Sequence, residues 1–101
     1  MSDLGFYIRP NEHAGITCSM VRGRLVVTHL DKRDSFFNAG VRVGDELLRI
    51  NKIRVRNDED CVRMIQCSTD SATLLQIPVR ILVTVRKSMH DMSDRLLMYQ
   101  H

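Results

Sequence analysis

The segment at residues 39–51 constrains the fold most strongly. It contains two glycines, Gly40 and Gly44, that stand four residues apart. Glycine takes a positive φ without the steric penalty of a Cβ atom, so the chain can turn sharply at both positions. Just before them, a short helical turn is predicted at residues 35–39, and it follows a polar loop at residues 31–34. The segment therefore predicts a helical turn, a glycine-bounded loop and then a new element.

The new element after Gly44 is predicted to be a strand because apolar and polar residues alternate there. A strand places successive side chains on opposite faces. Leu48 and Ile50 are therefore expected on one face, opposite Arg49 and Asn51.

Further strands are predicted along the chain from apolar runs that end at turn residues. Arg22-Gly23 offers a tight turn between two of these runs, so residues 16–21 and 25–30 are expected to form a hairpin. In the first of them, Ile16, Cys18 and Met20 share one face. The other predicted strands are residues 5–9, which stop at Pro10, residues 52–55, and residues 79–85, which begin after Pro78.

One long helix is predicted at residues 58–67. Asn57 is a good N-cap, and Asp60 is placed to complete a capping box. Residues 68–76 are polar and β-branched and are expected to form a loop in which Leu74 and Leu75 pack inward. Apolar residues recur at helical spacing after a second capping pattern in the tail, which predicts a short helix within residues 88–101.

Composition limits the classes of protein to which the chain can belong. With 101 residues, 44% of them hydrophobic and 27% charged, it is one domain with an ordinary core. The net charge of +3 is spread over scattered Lys and Arg residues, so we expect no nucleic-acid partner. The spacing of the three cysteines is not of the zinc type, and they are read as free thiols. The absence of a signal-peptide pattern favours a cytoplasmic protein.

The order of elements, with Ala-Gly-x-x-x-Gly-Asp followed by Leu-Leu-x-Ile-Asn at residues 39–51, resembles the PDZ family. The resemblance covers about residues 5–87. It implies an α+β fold, a small and partly open antiparallel β-barrel or sandwich of five to six strands with two helices. A PDZ-like domain is accordingly placed at residues 1–87, and residues 88–101 are a tail with its own short C-terminal helix.

The resemblance also implies a loop whose backbone amides bind a peptide carboxylate. Consecutive N–H groups that converge in a small concavity bind anions, and glycine lets the ligand approach closely. The predicted carboxylate-binding residues are Arg9, His13, Ala14, Gly15 and Ile16. The family's usual first glycine is His13 here, and its usual Phe is Ile16. An alternative register places this loop at Leu4-Gly5-Phe6 and leaves no first strand.

By the same resemblance, the chain is a peptide-binding adaptor or scaffold. It binds the C-terminal tail of another protein, including membrane-protein tails, as a strand added between the second strand and second helix. The ligand's last side chain would enter a pocket of Ile16, Cys18, Val62 and Ile65. Asp58 would favour a hydroxyl or basic residue third from the ligand's end. The predicted groove residues are Thr17, Cys18, Ser19, Met20, Asp58, Val62 and Ile65.

No arrangement in the sequence favours catalysis. The four histidines are scattered, and no cysteine has a histidine predicted nearby. We therefore expect no enzyme, no metal site and no cofactor. The alternative function is a self-associating structural domain, a homodimer included, in which the groove is vestigial or covered by the tail.

Overall fold

The computed structural model describes residues 1–13 and 15–88 of the chain. Within them, six strands form one antiparallel sheet, and two helices pack against it. The strands are β1 (Ser2–Ile8), β2 (Ile16–Val21), β3 (Arg24–Leu30), β4 (Glu46–Ile50), β5 (Ile53–Arg54) and β6 (Val79–Arg86), and the helices are α1 (Ser35–Ala39) and α2 (Asp58–Leu75).

The strands lie in the order β1-β6-β4-β3-β2, and β5 pairs with β4. The predicted hairpin of β2 and β3 is confirmed, since Val21 pairs with Arg24 across a two-residue turn. Arg22 and Gly23 in that turn have φ values of 51° and 77°. Two positive φ values suit the right-handed twist of the flanking strands.

This architecture confirms the predicted α+β fold of six antiparallel strands with two helices. The alternative register is wrong, because Leu4-Gly5-Phe6 lies inside β1 and pairs with β6, where Phe6 faces Ile81. The first strand also begins earlier than expected, at Ser2. The predicted tail helix lies beyond residue 88, outside the described residues.

The predicted side-chain alternation in β4 is wrong at Leu48. Leu47 and Ile50 are the buried residues of this strand, and Leu48 is only partly buried. The cause is an irregularity in the pairing with β6, in which Leu47 pairs with Val85 but Arg49 already pairs with Thr84. Leu48 is the extra residue of this β-bulge, and an extra residue reverses the alternation beyond it.

The second helix is longer than predicted, because α2 continues through residues 68–75. The hydroxyls of Ser68 and Thr69 donate to backbone carbonyls of the preceding turn, at 3.4 and 2.9 Å, so these polar residues are accommodated inside the helix. Leu74 and Leu75 do not pack inward as expected, since both are exposed. The buried residues of α2 recur at helical spacing and form one face of the helix. They are Cys61, Ile65, Ser68, Thr69 and Ala72.

The start of α2 agrees with the prediction in part. Asn57 is the N-cap, and its side-chain oxygen accepts a hydrogen bond from the N–H of Asp60 at 2.8 Å. The expected capping box does not form, because the carboxylate of Asp60 accepts a hydrogen bond from Arg63 at 2.6 Å instead. This pair lies one helical turn apart on the surface.

The core joins α2 to β2 through two cysteines. Cys18 of β2 and Cys61 of α2 are both buried, and their sulfur atoms lie 3.8 Å apart. The Cys61 thiol donates to Cys18, and this hydrogen bond together with burial raises the pKa of Cys61. Cys67 is exposed. Met20, expected on the Cys18 face, is also exposed.

A buried carboxylate organises the loop between α1 and β4. Asp45 is 1% exposed, and its oxygens accept hydrogen bonds from the N–H of Arg42 at 2.8 Å, the Nζ of Lys87 at 2.8 Å and the N–H of Ser88 at 3.2 Å. Gly40 and Gly44 in the same loop have φ values of 113° and 96°, so the predicted glycine turns are confirmed.

Replacing Asp45 with Ala is expected to lower the free energy of unfolding by about 2–4 kcal/mol, because Lys87 and the N–H of Arg42 lose a buried partner. Urea denaturation of the purified protein measures the change. Asp31→Ala is the matched control, since Asp31 is exposed and its surface ion pair with Arg33 adds little to stability. Equal losses in the two variants would contradict a central role for Asp45.

Candidate peptide-binding groove

A cavity of about 320 Å³ opens between α2 and the segment that leads into β2. We call it the groove cavity. One wall comes from the loop before β2 and from its first residue, and the other wall comes from α2. Its lining residues are Asn11, Glu12, His13, Ile16, Val62, Ile65, Gln66, Thr69, Asp70 and Thr73.

The α2 wall follows from helical geometry. Residues three, four and seven positions apart lie on one side of a helix, so Val62, Thr69 and Thr73 project on the same side. Ile65 is buried at the base of this wall, whereas Val62 is 63% exposed. The wall therefore combines an apolar base with an exposed rim.

The loop wall is attached to the far end of α2. The N–H of Asn11 donates to the hydroxyl of Thr73 at 2.9 Å, and the N–H of Glu12 donates to the carbonyl of Arg9 at 3.2 Å. Asn11 has a φ of 62°, which turns the chain toward the cavity. These contacts close one end of the groove with residues 9–13.

The predicted carboxylate-binding loop contains an internal carboxylate contact. The N–H of Gly15 donates to Oδ2 of Asp34, and Oδ1 of the same side chain accepts from the N–H of Phe36 at 2.9 Å as the N-cap of α1. A Cβ atom on Gly15 would lie 3.3 Å from Oδ2 of Asp34 and from the Cβ of Asp31. Asp34 thus connects this loop to α1.

The neighbouring Asp31 belongs to the same polar surface. The backbone N–H of Arg33, and then its guanidinium, hold the pKa of Asp31 below its ordinary value. The carboxylate of Asp31 is thus held by Arg33, and Asp34 supplies the carboxylate that contacts the segment leading into β2.

The outer edge of β2 lies beside the groove. In the sheet order β2 is a terminal strand, and within the described residues it pairs with β3 alone. The pairing shifts by one residue between Thr17 and Cys18, which is a local irregularity near the start of the strand. A terminal strand presents N–H and C=O groups to a further strand.

The groove cavity is acidic. Glu12 lies on the loop wall and Asp70 on the α2 wall, and the described residues that line the cavity include no Lys or Arg. Oε2 of Glu12 is buried and has no hydrogen-bond partner among the described residues. Oδ1 of Asp70 accepts from the side chain of Gln66 at 2.8 Å.

Of the residues that the sequence predicted for the site, the structure places His13, Ile16, Val62 and Ile65 around the groove cavity. Ala14 lies outside the described residues. The others do not line this cavity. Cys18 is in the core and Asp58 is exposed at the first position of α2, while the remaining predicted residues are Arg9, Gly15, Thr17, Ser19 and Met20.

Six lining residues were not predicted as site residues. Four of them lie on α2. Gln66 lies within the predicted helix, one turn after Val62, and the other three could have been found by extending that helix beyond residue 67. The other two belong to the loop, where no periodic signal exists. The six are Asn11, Glu12, Gln66, Thr69, Asp70 and Thr73.

The described residues also lack two kinds of feature. Residues 1–13 and 15–88 contain no group of three His, Cys, Asp or Glu side chains that could hold a metal ion. Within the same part of the chain, no helix has the length and apolar character needed to cross a membrane.

Comparison with known proteins identifies the fold. No protein-family model matches the sequence, and no curated protein matches it. Among solved structures 36 chains are similar. One is the dmPar3 PDZ1 domain in complex with the dmPar6 PBM, with a TM-score of 0.64 and 17% sequence identity over 86% of this chain and 94% of that chain. The chain has the fold of a PDZ domain.

Proposed function

We propose that this protein is a peptide-binding module that takes an extended partner segment as an added strand on β2. The observation that carries the proposal is the terminal position of β2 directly beside the groove cavity. Backbone pairing along Ile16–Val21 would supply affinity, and the cavity would receive a ligand side chain. The structure of the dmPar3 PDZ1 domain with the dmPar6 PBM supports this reading by analogy of fold.

The ligand we propose is the C-terminal tail of another protein. Its carboxylate would bind the amides of Ala14, Gly15 and Ile16, with Arg9 close by along the chain. In this arrangement the carboxylate competes with Asp34 for the N–H of Gly15. Binding would replace an internal carboxylate with that of the ligand, which lowers the net gain.

The biological role that follows is that of a non-catalytic adaptor or scaffold in the cytoplasm, which gathers proteins by their tails, those of membrane proteins among them. Asp58 would select a hydroxyl or basic residue third from the ligand's end. It lies at the exposed start of α2, where a carboxylate can meet a ligand side chain. Such a contact at a solvent-exposed position contributes about 0.2–1 kcal/mol.

A second candidate function is self-association. Leu74, Leu75 and Ile77 are exposed together where α2 ends. Exposed apolar residues in sequence and space favour a protein contact. Sedimentation of the full chain over a range of concentrations tests this candidate. We expect a single monomeric species, and a concentration-dependent dimer that Leu75→Ser abolishes would favour self-association over the adaptor role.

Strand addition is tested by an NMR titration with a binding peptide selected from a library of eight-residue C-terminal sequences. We expect the largest amide shifts in residues 16–21 and along the groove face of α2, because these elements would form the binding site. Hydrogen exchange of the outward-facing amides of β2 should slow on binding. Shifts confined to β1, at the opposite end of the sheet, would contradict the proposal.

The role of the terminal carboxylate is tested with Asp34→Ser. Serine is also a good N-cap for α1, but it is too short to reach the N–H of Gly15 and carries no charge. We expect it to increase the affinity for a free-acid peptide roughly threefold to tenfold, because the competing carboxylate is gone. Affinity is measured by fluorescence anisotropy.

The matched controls are the amidated peptide and the Asp31→Asn variant. Amidation should weaken binding to the wild type and remove most of the gain in Asp34→Ser. Asp31→Asn removes one charge from the same surface without freeing the N–H of Gly15. If amidated and free-acid peptides bound equally well to all three proteins, the ligand would not be recognised by its terminal carboxylate.

A further inference from the structure

The charges of the groove cavity differ from those of the whole chain. The protein carries a net charge of +3, yet the charged residues that line the cavity are Glu12 and Asp70. They come from opposite walls, one from the loop and one from α2. Within the described residues neither forms an ion pair with a Lys or Arg. Among the described residues, a side chain that enters the cavity therefore meets two carboxylates and no Lys or Arg paired with them.

One carboxylate oxygen of Glu12 lacks a hydrogen-bond donor among the described residues. This oxygen, Oε2, is buried. A buried carboxylate oxygen without a donor is unfavourable, and a charge-assisted hydrogen bond from a cation relieves that cost. A ligand side chain that is only apolar would supply no such donor.

The rest of the cavity suits the aliphatic part of a long basic side chain. Ile16, Val62 and Ile65 form its apolar surface. Lys and Arg pack their methylene groups on apolar surface while the charged end reaches polar groups. The apolar surface of the cavity would therefore contact the methylene groups of such a side chain, and the two carboxylates would contact its charged end.

We propose that the groove cavity selects a Lys or Arg side chain from the partner segment, with its cation held between Glu12 and Asp70. This inference rests on the proposed function and names the class of ligand that the groove prefers. It also replaces the apolar last side chain that the sequence predicted with a basic one. An acidic residue at the same ligand position is repelled.

The experiment begins with a peptide selected by the wild-type protein. Each of its positions is replaced in turn by Lys, by norleucine, which keeps the aliphatic chain without the charge, and by Glu. Affinities are measured for the wild type, Glu12→Gln and Asp70→Asn. At one position we expect Lys to bind about tenfold more tightly than norleucine, with Glu the weakest. Either variant should reduce that preference to about twofold or less.

The matched control is Glu59→Gln, which removes the same charge from an exposed residue in the first turn of α2, outside the groove cavity. It should leave the preference for Lys unchanged. If Glu12→Gln and Asp70→Asn fold normally and the preferences at every position stay as in the wild type, the inference is overturned although the peptide-binding function stands. If no library peptide binds, the proposed function fails, and this inference fails with it.

Discussion

The buried carboxylate of Asp45 holds together parts of the chain that are distant in sequence. It receives hydrogen bonds from Lys87 and Ser88 at the end of β6 and from Arg42 in its own loop. The backbone of the same loop also bonds to Val27 of β3. The N–H of Gly44 donates to the carbonyl of Val27 at 2.8 Å, and the N–H of Val27 donates to the carbonyl of Asp45 at 2.9 Å. Burial of a charge is tolerated only where such partners compensate for lost water. The loop is therefore fixed, and with it the end of α1 that precedes it.

The parts of the fold that the sequence predicted are those set by local chemistry. The positive φ values of Gly40 and Gly44, the turn at Arg22-Gly23 and the cap at Asn57 each depend on one or two residues. The errors arose where tertiary contacts decide. A bulge opposite β6 reverses the alternation at Leu48, and burial against the sheet keeps residues 68–75 helical despite their polar and β-branched composition.

In the candidate site, too, features set by local sequence were predictable and features set by tertiary contacts were not. Val62 and Ile65 were assigned to a ligand pocket by the resemblance to the PDZ family, and both line the groove cavity. The acidic character of the cavity was not predictable, because Glu12 lies in a loop without periodicity and Asp70 lies in the part of α2 taken for a loop. The contact between Asp34 and Gly15 joins residues 19 positions apart, and only the packing of α1 against the segment before β2 brings them together.

The residues that pack β2 against α2 differ from the residues proposed to select the ligand. Cys18 and Cys61 are in contact inside the core and join β2 to α2, and neither of them lines the groove cavity. Glu12 and Asp70 line the cavity and take no part in that contact. The proposed backbone pairing on β2 would depend on neither group, because every residue except proline offers the same N–H and C=O groups. In the proposed module, selectivity would therefore change through the two carboxylates while the fold and the edge of β2 stay the same.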